Sequence, residues 1–287
     1  MTSTLVGPTT TGSVQPMTTG ATQPMTTSAV QPMTTGAVRH GGGQPKPVSG
    51  TVHSWDLATA VDGPGTRFVV FTSGCPLRCL YCQNPETWKM RDGTVVTAEE
   101  IMAEAEPYRR FIQVAGGGFT VSGGEPLLQP VFTGELFRRA KEWGMHTALD
   151  TSGYLGARAS DELLADVDLV LLDVKSWFPG TYRRVTGGEV APTLDFARRL
   201  ADLGKAVWVR FVLVPGHTDA EDNVAGVADF AASLGNVERV DVLPFHKLGE
   251  SKYQELGIKF PLAGTPTPSA ALVARVREQF AERGLVV

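Results

Sequence analysis

Cysteine is absent from this 287-residue chain except in one short window, where Cys75, Cys79 and Cys82 all fall. An odd, clustered set excludes the paired framework of a small disulfide-stapled secreted domain. Acidic and aromatic residues are absent from residues 1–50, so that stretch has little apolar area to offset the entropy of ordering it. Long apolar runs are missing as well. Nothing approaches the ~18 uncharged residues of a membrane-spanning helix, so no membrane partner is expected. Positive charge is not in excess either, with 26 Lys and Arg against 30 Asp and Glu and a formal net charge of −4. That balance excludes a chain-wide basic footprint for nucleic acid.

What the first 50 residues do contain is Thr, Ser, Pro and Gly, at 30 of 50 positions. An octapeptide repeats there: TTGSVQPM from Thr10, TTGATQPM from Thr18, TTSAVQPM from Thr26 and TTGAV from Thr34. A period of eight with a proline in each copy fits neither a helical solenoid nor a heptad. The expectation is a disordered low-complexity extension over 1–50, ending in a Gly/Pro linker from Gly41 to Gly50, ahead of a catalytic domain over 51–287. With neither a basic start nor an apolar h-region, a secretory signal is not expected, and the chain is assigned to the cytoplasm.

From residue 51 the chain alternates β-rich runs with amphipathic stretches. The runs are Arg67–Thr72, Phe119–Ser122, His146–Asp150, Leu169–Lys175, Ala206–Val214 and Val237–Leu243. Helices are predicted near Ala98–Arg110, Gln129–Trp143, Ser160–Ala165, Leu194–Leu203, Asp222–Leu234 and Ser269–Arg283. This is an α/β pattern with a parallel sheet, and periodicity alone leaves a barrel and an open doubly wound sheet equally possible. The runs end in polar tails: TSGC, SGGEP, LDTSG, LDVKS, VPGH and LPFH. One such tail is an ordinary loop; six in series argue for a site at the carboxyl ends of the strands.

Thiolates bunched on one loop can wrap an inorganic centre, and three of them satisfy a four-iron cubane while leaving one iron open. A structural zinc site is the alternative, with His53 or His246 as a fourth ligand. In LLDVK, strand alternation puts Asp173 and Lys175 on one side and Val174 on the other. Such a pair is either an internal salt bridge or a contact for a zwitterionic ligand. Arg210 interrupts the apolar run VWVRFVLV and needs an anion, from a neighbouring strand or a ligand. Gly123 and Gly124 leave backbone groups open to close approach, although a Gly pair after a strand is by itself a weak signal.

The C-x3-C-x-aromatic-C spacing, with Tyr81 at the aromatic position, resembles the radical S-adenosylmethionine enzymes. Beyond the cysteines, VDGPGTRFVVFTSGCPLRCLYCQNPETW (61–88), VSGGEPLLQP (121–130), LDTSG (149–153), LLDVK (171–175), VWVRFVLVPG (207–216) and VLPFHKLGESKYQELGI (242–258) resemble the pyruvate formate-lyase activating enzymes. The resemblance implies a partial (β/α)6 barrel and a [4Fe-4S] cluster on Cys75, Cys79 and Cys82. It also implies S-adenosylmethionine, cleaved reductively to a 5′-deoxyadenosyl radical that takes a Cα hydrogen from a glycine of pyruvate formate-lyase. By the same resemblance Gly123 and Gly124 hold the methionine amino group, Glu125 supports their loop, and Tyr81 and Gln83 flank the adenine. Asp150, Asp173, Val174, Lys175, Arg210 and His246 line the ligand, and Asp150, Thr151 and Asp173 organise a monovalent cation. A flavodoxin or ferredoxin is the implied electron donor. VDGPG is implied to lie at the peptide entry, and His217 is read as a loop histidine. No cysteine remains for a second cluster, which favours the pyruvate formate-lyase type over activases of other glycyl-radical enzymes. A non-catalytic iron–sulfur sensor is the alternative of another class.

Overall fold

The sheet is built on hydrophobic runs that match its strands closely. The computed structural model describes residues 46–287, so the octapeptide repeats lie outside the described residues. Eight strands form one sheet: β1 (Ser49–Thr59), β2 (Thr66–Thr72), β3 (Thr94–Thr97), β4 (Gly118–Gly123), β5 (His146–Thr151), β6 (Leu169–Asp173), β7 (Ala206–Leu213) and β8 (Val237–Pro244). Their order is β3-β1-β2-β4-β5-β6-β7-β8. From β2 to β8 every neighbour pairs parallel, so the six expected strands form the six-stranded partial barrel. β1 and β3 add an antiparallel flank, pairing Ser49 with Thr97 and Gly50 with Val96. The last two residues of the expected linker therefore belong to the sheet.

Alternation separates two faces. Phe68, Val70, Phe119, Val121, Leu149, Val170, Leu172, Val209 and Phe211 point outward into one large core under the helices. Those helices are α1 (Ala98–Ala105), α2 (Arg109–Val114), α3 (Pro130–Glu142), α4 (Asp161–Ala165), α5 (Pro179–Thr186), α6 (Ala191–Asp202), α7 (Glu221–Leu234), α8 (Glu250–Glu255) and α9 (Ala270–Ala281). In α3, Phe132, Leu136 and Ala140 recur at every fourth position and are buried, as an amphipathic helix requires. Thr97 and Glu100 close a reciprocal capping box that starts α1 after β3. Near the amino ends of the strands the inner face is apolar, and Ala148, Leu169 and Leu171 pack there with Ala206 and Trp208. Nearer the carboxyl ends it carries Asp150, Asp173, Arg210 and Asp241 as well.

β1, β3, α5 and α8 were not expected. β1 carries a bulge between Val52 and Ser54, which breaks its two-residue period. β3 has four residues, and α5 begins with Pro-Gly, which reads as a turn. No helix among the described residues is long and apolar enough to cross a membrane.

Candidate active site

The first parallel strand delivers the cysteines. After β2 the backbone turns through Gly74 and is pinned on both sides. Gly74 N–H donates to the Thr87 carbonyl at 2.7 Å and Cys75 N–H to that of Trp88 at 3.1 Å. Arg78 and Leu80 donate to the carbonyls of Thr186 and Val185, at 2.7 and 2.9 Å, which ties the loop to the end of α5. All three thiols are free and half-buried. Burial pushes the Cys75 thiol up to about 12, helped by Glu125 and Cys79. Burial likewise pushes Cys79 up to about 11 against the pull of Lys175, and raises Cys82. Three half-buried thiols with raised proton affinity need strongly cationic centres to become thiolates.

Gly123 and Gly124 form the adjoining loop, and their lack of side chains has a packing cause. A Cβ on Gly123, at φ +111°, would stand 2.3 Å from the Thr72 nitrogen, and one on Gly124 would stand 2.3 Å from the Gly74 oxygen. The two loops thus lie backbone against backbone, joined by Gly124 N–H to Thr72 O at 2.8 Å and Glu125 N–H to Gly74 O at 2.9 Å. Glu125 is fully buried. Its carboxylate accepts from Thr151 Oγ1 at 2.6 Å, Ser152 N–H at 3.0 Å and Leu127 N–H at 3.1 Å, and also from Ser152 Oγ. Burial raises its pKa, and those donors oppose the rise. Glu125 therefore clasps the SGGEP loop to LDTSG and takes up the Thr151 hydroxyl.

Facing the cysteine loop, the inner sheet carries alternating charge. Asp173 stands level with Arg210, and Arg210 with Asp241, in the strand register. Arg210 Nη1 reaches Asp150 Oδ1 at 3.0 Å and Asp62 Oδ1 at 3.9 Å. Ser122 Oγ donates to Asp150 Oδ2 at 2.6 Å. Asp150 raises the Arg210 pKa against burial. Lys175 Nζ lies 2.8 Å from Asp173 Oδ2 and 5.7 Å above the Tyr81 ring. Burial acts against both charges of that pair, yet each holds the other ionised, with Asp173 kept low and Lys175 well above its ordinary range. Val174 points away into the outer core. Each carboxylate of the expected cation site thus has a basic partner, and the Asp173–Lys175 salt bridge is formed.

Gln83 straps the cysteine loop to the segment after β8. Its amide donates to the His246 carbonyl at 3.3 Å and accepts from Gly249 N–H at 2.9 Å. His246 is exposed at the rim and its Nδ1 accepts from Leu248 N–H at 3.4 Å. His217 lies in the loop after β7, its Nδ1 buried and unpartnered.

Two charged residues escaped the sequence reading. Asp62, in the VDGPG turn, is pushed up to about 6 by burial and by Asp150, against the pull of Arg210. Arg67 is fully buried and donates to Thr120 Oγ1 at 2.6 Å and to the carbonyls of Pro64, Phe119 and His146 at 3.1, 2.9 and 3.1 Å. Thr120 in turn donates to the Asp62 carbonyl at 2.8 Å, so Arg67 anchors the turn that carries Asp62. Its place on the inward parity of β2, shared with Val69 and Phe71, was the available signal.

A partial parallel barrel with a three-thiol loop above a charged inner face places this protein among the radical S-adenosylmethionine enzymes, and residues 69–227 match the radical SAM superfamily. The chain is 41% identical over 232 residues to the pyruvate formate-lyase 1-activating enzyme of Escherichia coli K12, covering 80% of this chain and 94% of that one. It is 44% identical over 228 residues to the pyruvate formate-lyase-activating enzyme of Staphylococcus aureus, covering 77% and 91%. A crystal structure of a domain of such an enzyme from Bacteroides vulgatus superposes with a TM-score of 0.51 at 28% identity, over 60% of this chain and 97% of that one. This chain belongs to the family of pyruvate formate-lyase-activating enzymes.

The family's cofactors are a [4Fe-4S] cluster and S-adenosylmethionine, and the donor set fits them. The three thiols are unpaired and share one loop. Among the described residues no three His, Cys, Asp or Glu side chains converge as one ion would require. Three thiols on one loop satisfy a four-iron cubane at three corners, whereas a structural zinc site takes four ligands. Of the two histidines weighed as a fourth zinc ligand, His53 lies exposed on β1 beside Ser54.

Proposed function

We propose that this chain activates pyruvate formate-lyase by installing a glycyl radical, with Cys75, Cys79 and Cys82 as the cluster ligands. When bound, the cluster and S-adenosylmethionine together supply one electron, cleavage of the sulfonium to methionine and a 5′-deoxyadenosyl radical, and removal of one glycine Cα hydrogen. The protein's own residues bind, orient and shield. The observation that carries this reading is the position of the free thiols over the inward array of Asp150, Asp173, Lys175 and Arg210.

Lys175 and Arg210 offer cationic donors to a carboxylate and to ribose oxygens, while Asp150 and Asp173 offer acceptors to the ammonium and hydroxyl groups of the same ligand. Gly123 and Gly124 bring backbone groups within reach of the methionine end, and Glu125 fixes that loop. Tyr81 and Gln83 border the adenine, and His246 stands at the rim. Asp62, beside Arg210, belongs to the mouth through which a glycine loop would enter. A small acidic flavodoxin or ferredoxin delivers the electron. Exposed Arg78, Lys89 and Arg91 flank the cysteine loop in a chain of net charge −4, which gives that face the complementary sign. We place the protein in the cytoplasm, where free thiols persist.

The test is anaerobic mixing of iron-loaded protein with pyruvate formate-lyase, dithionite and S-adenosylmethionine. A glycyl radical doublet is expected in electron paramagnetic resonance, with none from Cys79→Ser. A radical formed equally well by Cys79→Ser would overturn the assignment.

A further inference from the structure

Lys175 stands just past the end of β6, where the sheet stops holding the chain. Val174 N–H still donates to the Arg210 carbonyl at 3.1 Å, and the register between β6 and β7 ends at that level. Beyond it a side chain takes over. Asn223, in the first turn of α7, is fully buried. Its Oδ1 accepts from Ser176 Oγ at 2.6 Å and from Trp177 N–H at 3.0 Å. Its Nδ2 donates to the Thr218 carbonyl at 2.8 Å. Thr218 Oγ1 donates to the Val212 carbonyl and accepts from Val214 N–H, both at 2.8 Å. One amide therefore joins the residue after Lys175 to backbone two residues beyond Arg210. Ser176 and Thr218 are fully buried as well, so bulk water does not compete for these bonds.

The same face of α7 extends the join. A Cβ on Gly226 would stand 2.3 Å from Trp177 Cγ, so the missing side chain is what admits the indole. The Trp177 and Phe230 rings follow, with centroids 5.8 Å apart. Positions 223, 226 and 230 share one helix face at spacings of three and four. Lys175 is a flexible four-carbon stem, and its Asp173 partner sits on the same strand end, so that pair moves as one body. We infer that Asn223 is a positioning residue, fixing Lys175 relative to Arg210 and so setting the separation of the two cations that face the ligand's carboxylate and ribose oxygens. The inference rests on the S-adenosylmethionine reading of that pocket and deepens it. Asn223→Ala leaves space in which water can satisfy the freed groups, so the chain is expected to fold while the fixed separation is lost.

The experiment measures S-adenosylmethionine affinity by calorimetry on the full chain reconstituted with iron and sulfide, at equal iron per chain. Hydrogen exchange in the iron-free chain runs beside it. In Asn223→Ala the Trp177 amide is expected to exchange about tenfold faster or more. The dissociation constant is expected to rise about threefold to tenfold, and KM with it, while kcat stays within about twofold, as for a loss of binding shared by ground and transition states. In a Lys175→Met background the same substitution is expected to add less than about twofold, because it acts through Lys175. Unchanged exchange, an unchanged dissociation constant, or a loss of equal size with and without Lys175 overturns the inference. Where Asn223→Ala fails to fold, Ser176→Ala decides, since it removes one of the two bonds to the segment: a rise of about twofold to threefold is expected, and none overturns the inference. A wild-type chain that loads iron but binds no S-adenosylmethionine sinks the reading of the pocket and this inference with it.

Discussion

Asp62 shows how one carboxyl can report on the mouth of the site. Burial, with Asp150 beside it, raises its pKa from 3.8 to about 6. The native state therefore holds that proton more tightly than the unfolded chain. The proton-linked stabilisation is fully present below about pH 3.8 and is lost as pH rises through about 6. Asp62→Asn removes the dependence while keeping the shape. The variant is expected to gain about 1–3 kcal/mol over wild type on moving from pH 4 to pH 7. Thermal unfolding of both proteins at the two pH values checks this, and a constant difference would assign the proton elsewhere. Arg78 offers a second residue-scale test. Its guanidinium is exposed and donates to the carbonyls of Cys75 and Leu77, at 2.6 and 2.7 Å. Arg78→Glu should slow reduction by an acidic flavodoxin about tenfold at low salt, with the gap narrowing as salt rises. Reduction by dithionite serves as the control for a damaged loop.

At the scale of elements, the informative glycines are those where two loops meet. Gly124→Ala would force a Cβ to 2.3 Å from the Gly74 oxygen, whereas Gly144→Ala, at φ +68°, would meet nothing within 4 Å. The second change should cost about 1 kcal/mol of backbone strain; the first should cost more than that and loosen the cysteine loop as well. Urea unfolding and iron content measure the two effects, and equal losses in both variants would show that the loop contact carries no weight. The six parallel strands were readable because each is a short apolar run followed by a helical period. β1 was not, since its bulge disrupts the alternation and its pairing with β3 joins residues 42 to 48 positions apart along the chain.

For the whole molecule, residues 46–287 lie in one compact unit. We propose that this unit is the catalytic domain and that removing residues 1–44 leaves its free energy of unfolding within about 0.5 kcal/mol. Chemical denaturation of the full and shortened chains would reveal a larger role for the extension. The cysteine spacing, the strand–helix alternation and the polar strand ends were all legible, because each is local in sequence and obeys a fixed period or spacing. The family and its chemistry follow from those signals. Only the tertiary structure decided that Arg210 answers to Asp150 and Asp62, that Glu125 clasps Thr151 and Ser152, and that Gln83 spans to the loop after β8. These partners lie 26 to 166 residues apart along the chain. A buried charge needs a counter-charge or donors wherever the fold happens to supply them, and periodicity carries no record of which strand that is.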